Sequence, residues 1–346
     1  MQDIEKKQYI EYLRVVAMFA VVVTHVCVTA ISDFFVEGED SILAGVSFYY
    51  SIRNILHFAV PVFFMISGAL LITPQKIITI KQLFNKYILK YIGIIGIFGW
   101  IYALMEKIFY LKSFKFSCIY ESFINMIQGD TWEHMWYMYS LLGVMLILPI
   151  LRSVAQYLEN KEIKYLFMVA FLFLSILPLI ETWLGIKLGI KIPFNIWCFY
   201  MLIGYWIDKG KISLKTSSCY VFLFLGMILL IINAYFNVYL EWKLHLADYT
   251  SPVICLISMS IFTLFYRNLN HEIKILNNIV KFFSRYSLGI YLVHMIWVNI
   301  LYKFVKINPF KYNIFFILVL LSVFITCASA MVTAVLKRIP LFRKLV

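Results

Sequence analysis

Long apolar segments recur along the whole chain and constrain its fold more than any other feature. The chain has 346 residues, of which 63% are hydrophobic and only 14% charged, whereas about a quarter of a soluble domain is charged. A helix needs about 20 apolar residues to cross a bilayer. We therefore predict an all-α integral membrane protein, a bundle of about ten transmembrane helices. The segments lie at residues 9–31, 48–73, 84–106, 135–151, 163–181, 193–207, 219–239, 251–266, 286–302 and 312–336.

The connections between these segments are brief, so the sequence predicts a single transmembrane domain over residues 1–346. The first segment is too long for the apolar region of a signal peptide and is not followed by a cleavage site, so we expect it to be retained. The six cysteines show no CxxC or Cys/His ligand spacing, and most lie in apolar runs. They are expected to be small core residues rather than disulfides or metal ligands.

The basic residues are unevenly divided between the two sides of such a bundle. With the N-terminus in the cytoplasm, roughly two-thirds of the 31 Lys and Arg residues fall in cytoplasmic segments. The first outer loop is acidic, because it carries Asp33, Glu37, Glu39 and Asp40. We predict that both termini are cytoplasmic. The net charge of +13 then reflects orientation in the membrane, and no nucleic-acid partner is expected.

The first apolar segment carries two ionisable residues, Arg14 and His25, which are eleven positions apart. On a helix they fall within roughly 20° of each other and about 16 Å apart along the axis. Ionisable groups inside a membrane are costly and usually functional. The predicted orientation puts Arg14 near the cytoplasmic surface and His25 in the outer half of the membrane.

The second segment carries Arg53 and His57 on one helical face near its outer end. Pro61 is expected to interrupt the helix a turn later. Arg53 lies inside the apolar register, so we interpret it as functional rather than as an interfacial anchor.

Three further groups of residues are candidates for a site. His134 and Trp136 begin the fourth segment at the outer face, where Trp132, Trp136 and Tyr137 are typical of an interfacial aromatic belt. His294 lies near mid-membrane in the ninth segment, where an interhelical hydrogen bond is the commoner role. Lys86 and Lys90 start the third segment, four residues apart on one face; they are topology markers or ligands for phosphate groups. The motifs GxGxxG, GxxxxGK[ST], GxSxG and HExxH are absent, and no metal site is expected.

Together these residues resemble the acyltransferase-3 family of bacterial membrane acyltransferases, in particular its short WecH-type O-acetyltransferases. In this family a basic residue is followed, after ten intervening positions, by a histidine, and Arg14 and His25 match that spacing. Arg53 stands at a position where members of the family often carry an arginine. The family's RxxR pair near the third helix is absent, and Lys86 and Lys90 stand at a different spacing. Similar segments are VPVFFMISGAL at 60–70, HMWYMYSLLGVMLILPIL at 134–151, FYMLIGYWI at 199–207 and SRYSLGIYLVHMI at 284–296.

The resemblance implies transfer of an acyl group, usually acetyl from acetyl-CoA, to a hydroxyl of a cell-envelope glycan or lipid-linked saccharide at the bacterial cytoplasmic (inner) membrane. We expect Arg14, with Lys86 and Lys90, to bind the phosphates of the donor. His25 would be the general base, or alternatively carry the acyl group covalently. Arg53, with His57, His134 and Trp136, would stabilise the oxyanion or hold the acceptor. Membrane lipids are the other partners, and the oligomeric state stays open.

Two other classes of protein fit the same residues. A transporter or flippase for an envelope precursor would line its substrate path with Arg14, Arg53 and His25. A structural subunit of a glycan synthase would not depend on His25.

Overall fold

The computed structural model describes residues 8–35, 40–111, 115–269 and 277–346, and within these ranges the chain forms helices and no strand. Glu37 and Glu39 of the predicted acidic loop lie outside the described residues. The α-helices are α1 Gln8–Phe34, α2 Asp40–Leu56, α3 Ala59–Leu71, α4 Ile80–Leu83, α5 Leu89–Ile94, α6 Trp100–Leu111, α7 Ser117–Gln128, α8 Trp136–Leu146, α9 Leu148–Tyr157, α10 Asn160–Phe171, α11 Leu177–Leu184, α12 Ile196–Asp208, α13 Thr216–Tyr239, α14 Pro252–Asn268, α15 Asn277–Asn299, α16 Ile314–Leu336 and α17 Pro340–Arg343.

Shorter turns of other helix types join several of these elements. A π-helical turn has hydrogen bonds between residues i and i+5 and is wider than an α-helical turn. The side chains that follow it therefore point in different directions than they would in a continuous α-helix. The π-helical turns are Phe84–Ile88, Ile95–Gly99, Leu172–Ile176 and Ile300–Phe304, and the 3₁₀ turns are Glu133–Met135 and Pro309–Lys311.

Seven helical stretches of the described chain are long and apolar enough to cross a membrane, which confirms the all-helical membrane class. The bent pair α8 and α9 would make an eighth crossing. Two shorter apolar helices, α12 and α14, have 13 and 17 residues. The number of about ten crossings stays a prediction. The seven stretches are Gln8–Phe34, Ile42–Leu71, Ile80–Phe109, Asn160–Leu184, Thr216–Tyr239, Asn277–Phe304 and Ile314–Leu336.

Two prolines interrupt the helices of crossing segments. Pro61 cannot donate to the carbonyl of His57, four residues before it, and its ring would collide with that carbonyl. The helix is accordingly interrupted at His57 and Phe58, between α2 and α3, as the sequence predicts. Pro149 has the same relation to Met145, and here α8 and α9 meet at an angle of 62°. The predicted fourth segment is therefore bent rather than straight.

Helix α1 is the central helix of the bundle. It packs against α2, α3, α14, α15 and α16, and it is buried over most of its length. Within lipid, helices associate by close packing and interhelical hydrogen bonds rather than by exclusion of water. The hydroxyl of Tyr302 donates such a bond to the carbonyl of Val26, over 3.2 Å.

Helices α3 and α12 cross at two glycines. A Cβ at Gly68 would lie 1.8 Å from the carbonyl oxygen of Met201, and one at Gly204 would lie 2.1 Å from that of Met65. Only glycine permits this approach, and small residues commonly bring membrane helices together in this way. The crossing fixes α3, and with it the interruption of the helix at His57, against the core of the bundle.

Two side chains of α9 satisfy the carbonyl groups at the C-terminal end of α3. Arg152 donates to the carbonyls of Leu71 and Lys76, the latter over 2.7 Å, and Gln156 donates to that of Ile72 over 2.5 Å. The last carbonyls of a helix have no partner within the helix. The bend at Pro149 therefore turns α9 into the position that caps α3.

Candidate active site

A basic cavity of about 460 Å³ lies at the Arg14 end of α1. None of the described residues that line it has a carboxylate side chain. The guanidinium of Arg14 donates to the Ser284 hydroxyl over 3.2 Å, which aims it across the cavity from α1 toward α15. A cavity with this charge is suited to an anionic ligand. The cations that line it are Arg14, Lys76, Lys90, Arg285 and Lys337.

Of the two predicted phosphate-binding lysines, only Lys90 lines the basic cavity. Lys86 is exposed, and its ammonium lies 5.9 Å from the ring centre of its neighbour Tyr87. The physical reason is the π-helical turn Phe84–Ile88, in which Lys86 lies. Residues four apart share a face in an α-helix, but the wider π turn rotates the chain between Lys86 and Lys90.

A second cavity of about 210 Å³ lies at the His25 end of α1, and we call it the histidine chamber. Five residues predicted for the outer part of the site line this chamber: His25, Arg53, His57, His134 and Trp136. Glu133 lines it as well.

Three histidine rings meet beside this chamber. The ring centre of His25 lies 5.1 Å from that of His294 and 6.3 Å from that of His134, and the latter two rings are 5.2 Å apart. His134 and His294 are buried, with 1% and 0% of their surface exposed, whereas His25 is partly open to the chamber. His25 is therefore the most exposed ring of the cluster.

The hydrogen bonds of His294 fix its tautomer. Its Nδ1 lies 2.6 Å from the carbonyl oxygen of Tyr291, so Nδ1 carries the proton and donates. Nε2 is then an acceptor, and it has no partner among the described residues. Both ring nitrogens of His134 are likewise buried without a partner in the described chain. Buried polar atoms without a partner are unusual and call for an explanation.

His57 is held by the loop between α13 and α14. Its Nδ1 donates to the carbonyl of Ala247 over 2.7 Å, and its ring stacks on that of Tyr249 at 5.0 Å. Its Nε2 is thereby left as the acceptor of a neutral imidazole. The predicted pair of Arg53 and His57 does line one cavity, although the helix is interrupted just where His57 lies.

Trp136 belongs to an aromatic wall of the chamber rather than to an interfacial belt. Its ring centre lies 5.2 Å from that of Trp197 and 5.4 Å from that of Tyr249. Trp132 and Tyr137 are also buried, and Trp132 stacks on Tyr102 at 4.5 Å. The belt prediction is wrong because the segment enters the bundle through a 3₁₀ turn at Glu133–Met135, which turns these rings inward.

Tyr137 and Tyr291 separate the two cavities. Each lines both the basic cavity and the histidine chamber, and their ring centres are 5.5 Å apart. The hydroxyl of Tyr291 donates to the carbonyl of His134. Arg14 and His25, about 16 Å apart along α1, therefore belong to neighbouring cavities that meet at a pair of tyrosines.

Sequence reasoning missed several residues of this site. Glu133, which lines the histidine chamber, is the carboxylate nearest to the cluster by sequence, and its position beside His134 was the available signal. Lys76, Arg285 and Lys337 had the appearance of topology markers, because tertiary packing alone brings them to Arg14. No group of three or more His, Cys, Asp or Glu side chains suited to a metal ion is found in the part of the chain that the structure describes.

A helical membrane bundle with a basic cavity and a histidine-lined chamber along one central helix has the features of a membrane-embedded enzyme. A family model described as an acyltransferase domain, that of the acyltransferase-3 family, matches residues 7–335. The chain belongs to this family and is a multi-pass membrane acyltransferase. The match does not favour the transporter alternative. Comparison with curated proteins and with solved structures gave no match.

Proposed function

We propose that the protein is an O-acyltransferase of the WecH type, which moves an acyl group, acetyl in the first instance, from acyl-CoA to a hydroxyl of a cell-envelope glycan or lipid-linked saccharide. The observation that carries this proposal is the pair of cavities along α1, the one basic and the other lined by histidine, which meet at Tyr137 and Tyr291. The donor enters from the cytoplasm and the acceptor from the outer side of the bacterial cytoplasmic membrane.

The basic cavity is the proposed donor site. Acyl-CoA is made in the cytoplasm and carries several phosphate charges, and the described residues that line the cavity offer five cationic side chains and no carboxylate side chain. Arg14 provides planar, bidentate phosphate contacts, while lysines act as point charges. Lys90 keeps its proposed role, and Lys76, Arg285 and Lys337 take the place of the exposed Lys86.

The acyl arm of the donor is proposed to pass between Tyr137 and Tyr291. These are the residues that border both cavities. An arm threaded between the two rings brings the thioester to His25, while the phosphates stay at Arg14. The tyrosines then separate the bulk of the donor from the acceptor.

In the proposed reaction His25 is the general base. Its imidazole takes the proton of the acceptor hydroxyl as the oxygen attacks the thioester carbonyl. The negative charge that develops on the carbonyl oxygen is stabilised by Arg53, which lines the chamber. The tetrahedral intermediate then expels the CoA thiolate, which takes the proton back from the imidazolium. In the alternative route His25 itself attacks the thioester carbonyl and the CoA thiolate leaves. The acceptor hydroxyl then attacks the acyl-imidazole, and the imidazole of His25 is the leaving group.

His294 is the proposed positioning residue for this base. The acceptor nitrogen Nε2 of His294 lies in a ring 5.1 Å from that of His25 and has no other partner among the described residues. By accepting the N–H of His25 it would leave the other nitrogen of His25 free to take the proton. A carboxylate does this for the histidine of a serine protease triad.

Replacement of His25 tests the proposed function. Purified His25→Ala protein is expected to lose acyl-CoA hydrolysis and acyl transfer by at least about 10²-fold, the usual contribution of a general base. Cys27→Ala is the matched control, because Cys27 is buried on the same helix and lines neither cavity. Near-full activity of His25→Ala, with folding and membrane insertion unchanged, would refute the role of His25.

A further inference from the structure

An outer vestibule of about 400 Å³ adjoins the histidine chamber, and the mechanism above does not use it. The two cavities share Val28 and Arg53, so a molecule in the vestibule is next to the chamber that holds His25. The polar side chains in its lining are Ser32, Tyr50, Arg53, Asn233, Asn237, Lys243, His245 and Asp248.

One loop, residues 240–251 between α13 and α14, builds both the vestibule and a wall of the chamber. The Trp183 indole donates to the carbonyl of Leu244 over 2.8 Å, and the Tyr200 hydroxyl donates to that of Tyr249 over 2.6 Å. Between them, Leu246 and Ala247 are buried. These two hydrogen bonds hold the loop at Leu244 and at Tyr249. Between these positions, the carbonyl of Ala247 accepts the hydrogen bond from His57 in the chamber.

The backbone of this loop adopts two costly conformations. Glu241 and His245 have φ angles of 52° and 57°, in the left-handed region that residues other than glycine seldom adopt. Such residues cluster at ligand-binding sites, where the surrounding structure holds them. They flank Lys243, and His245 Nδ1 lies 2.9 Å from a carboxylate oxygen of Asp248. The loop therefore presents Lys243 and the pair of His245 and Asp248 to the vestibule.

The polar groups of the vestibule have unused hydrogen-bonding capacity. Lys243 and Asn237 make no hydrogen bond or ion pair that the described part of the chain shows. Among the described residues, Arg53 donates only to its neighbour Asn54, over 3.2 Å. The vestibule thus offers two cations, Lys243 and Arg53, for one negative charge of a ligand. The amide of Asn237 and the carboxylate of Asp248 can bond to hydroxyl groups.

We propose that the outer vestibule is an acceptor subsite for an anionic saccharide. The carboxylate or phosphate of the sugar contacts Lys243 and Arg53, its hydroxyls contact Asn237 and Asp248, and a neighbouring hydroxyl reaches His25 in the chamber. This assignment rests on the proposed acyltransferase function and adds the charge of the acceptor to it.

Binding of three small probes tests the assignment. The probes are methyl β-glucuronide, glucose 1-phosphate and methyl β-glucoside, and thermal stabilisation of the purified protein measures their affinity, since a ligand stabilises the folded state that binds it. We expect the anionic probes to bind about tenfold more tightly than the neutral one, as a charge-assisted hydrogen bond provides. The two anionic probes distinguish a carboxylate from a phosphate.

Lys243→Gln is expected to remove that preference, because glutamine has no positive charge for the anionic group of the probe. Lys187→Gln is the control, because Lys187 is exposed on a predicted outer segment and does not line the vestibule. Equal binding of all three probes to the wild type, or an unchanged preference in Lys243→Gln, would overturn the subsite. Absence of any acyl-CoA turnover in the wild type would instead overturn the proposed function, and the subsite with it.

Discussion

At the scale of single residues, the proposed orientation of the base depends on the contact between His25 and His294. No carboxylate lies within seven residues of His25 in the sequence, and the imidazole of His294 lies 5.1 Å from its ring. Because Tyr291 fixes the tautomer of His294, the free nitrogen of that ring is an acceptor. Two neutral rings can therefore form a donor and acceptor pair inside the membrane without the cost of a buried charge.

His294→Ala is expected to lower kcat by about 10²-fold and to leave the KM of both substrates unchanged, because a misoriented base affects the chemical step. His294→Gln retains an acceptor near the position of Nε2 and is expected to recover part of the loss. Steady-state kinetics at several pH values measure both. Equal losses in the two variants, together with equal losses of thermal stability, would mean that His294 only fills space.

The two lysines of the third segment provide a matched pair for the donor site. Lys90→Ala is expected to raise the KM for acyl-CoA several-fold, because Lys90 lines the basic cavity, as does Arg14. Arg14→Ala is expected to raise it about tenfold through the loss of bidentate contacts. Lys86→Ala is expected to have no effect, since its side chain is exposed outside the cavity. A dependence on Lys86 equal to that on Lys90 would contradict this placement of the donor phosphates.

At the scale of helices, the crossing of α3 and α12 holds the interrupted segment that carries Arg53 and His57. Gly68→Ala or Gly204→Ala would place a methyl group within 2.1 Å or less of a backbone oxygen on the facing helix, and the backbone would have to move. We expect each change to destabilise the protein by about 1–3 kcal/mol, the usual cost of overpacking. Thermal unfolding in detergent measures this.

Gly143→Ala is the control for the helix crossing. Gly143 lies on the exposed side of α8, and no atom lies within 4 Å of its Cβ position. A change of less than about 0.5 kcal/mol is expected there. If Gly68→Ala and Gly143→Ala had the same effect, close backbone contact would not be what fixes α3 against α12.

At the scale of the whole molecule, the proposal requires the basic cavity and the outer vestibule to open on opposite sides of the membrane. The cations of the basic cavity all come from segments predicted to be cytoplasmic, and Lys243 comes from a predicted outer segment. Ten crossings result if the seven long stretches are joined by the bent pair of α8 and α9, by α12 and by α14, each counted as one crossing. An even number of crossings would leave both termini on the cytoplasmic side. Residues 1–346 as a single domain stay a prediction, and the family match spans 7–335.

Single cysteines test this sidedness. Lys243→Cys is expected to react with an impermeant maleimide in intact cells, whereas Lys90→Cys is expected to react only in inverted membrane vesicles. The six native cysteines are free, and all except Cys327 are buried, so the unsubstituted protein provides the background. Labelling of both positions from the same side would contradict the proposed route of the donor and the acceptor.

Some features of this protein follow from its sequence by local physical rules. The apolar segments determine the membrane class, because a bilayer admits a limited set of segment lengths. The spacing of Arg14 and His25 determines that they lie on one face of one helix, because rise and rotation per residue are constant. Pro61 determines the interruption of the helix at His57, and the motifs indicated the acyltransferase-3 family, which the family match confirms.

Only the tertiary structure decided which residues join Arg14 and His25. His134 and His294 reach His25 from distant parts of the chain, and Lys90 rather than Lys86 faces the basic cavity because of a π-helical turn. The loop that bonds His57 and presents Lys243 had no signal in the sequence. In a membrane bundle both the lipid-facing and the core-facing surfaces are apolar, so hydrophobic periodicity does not distinguish them. Close contacts at glycines, kinks and buried hydrogen bonds decide the arrangement instead.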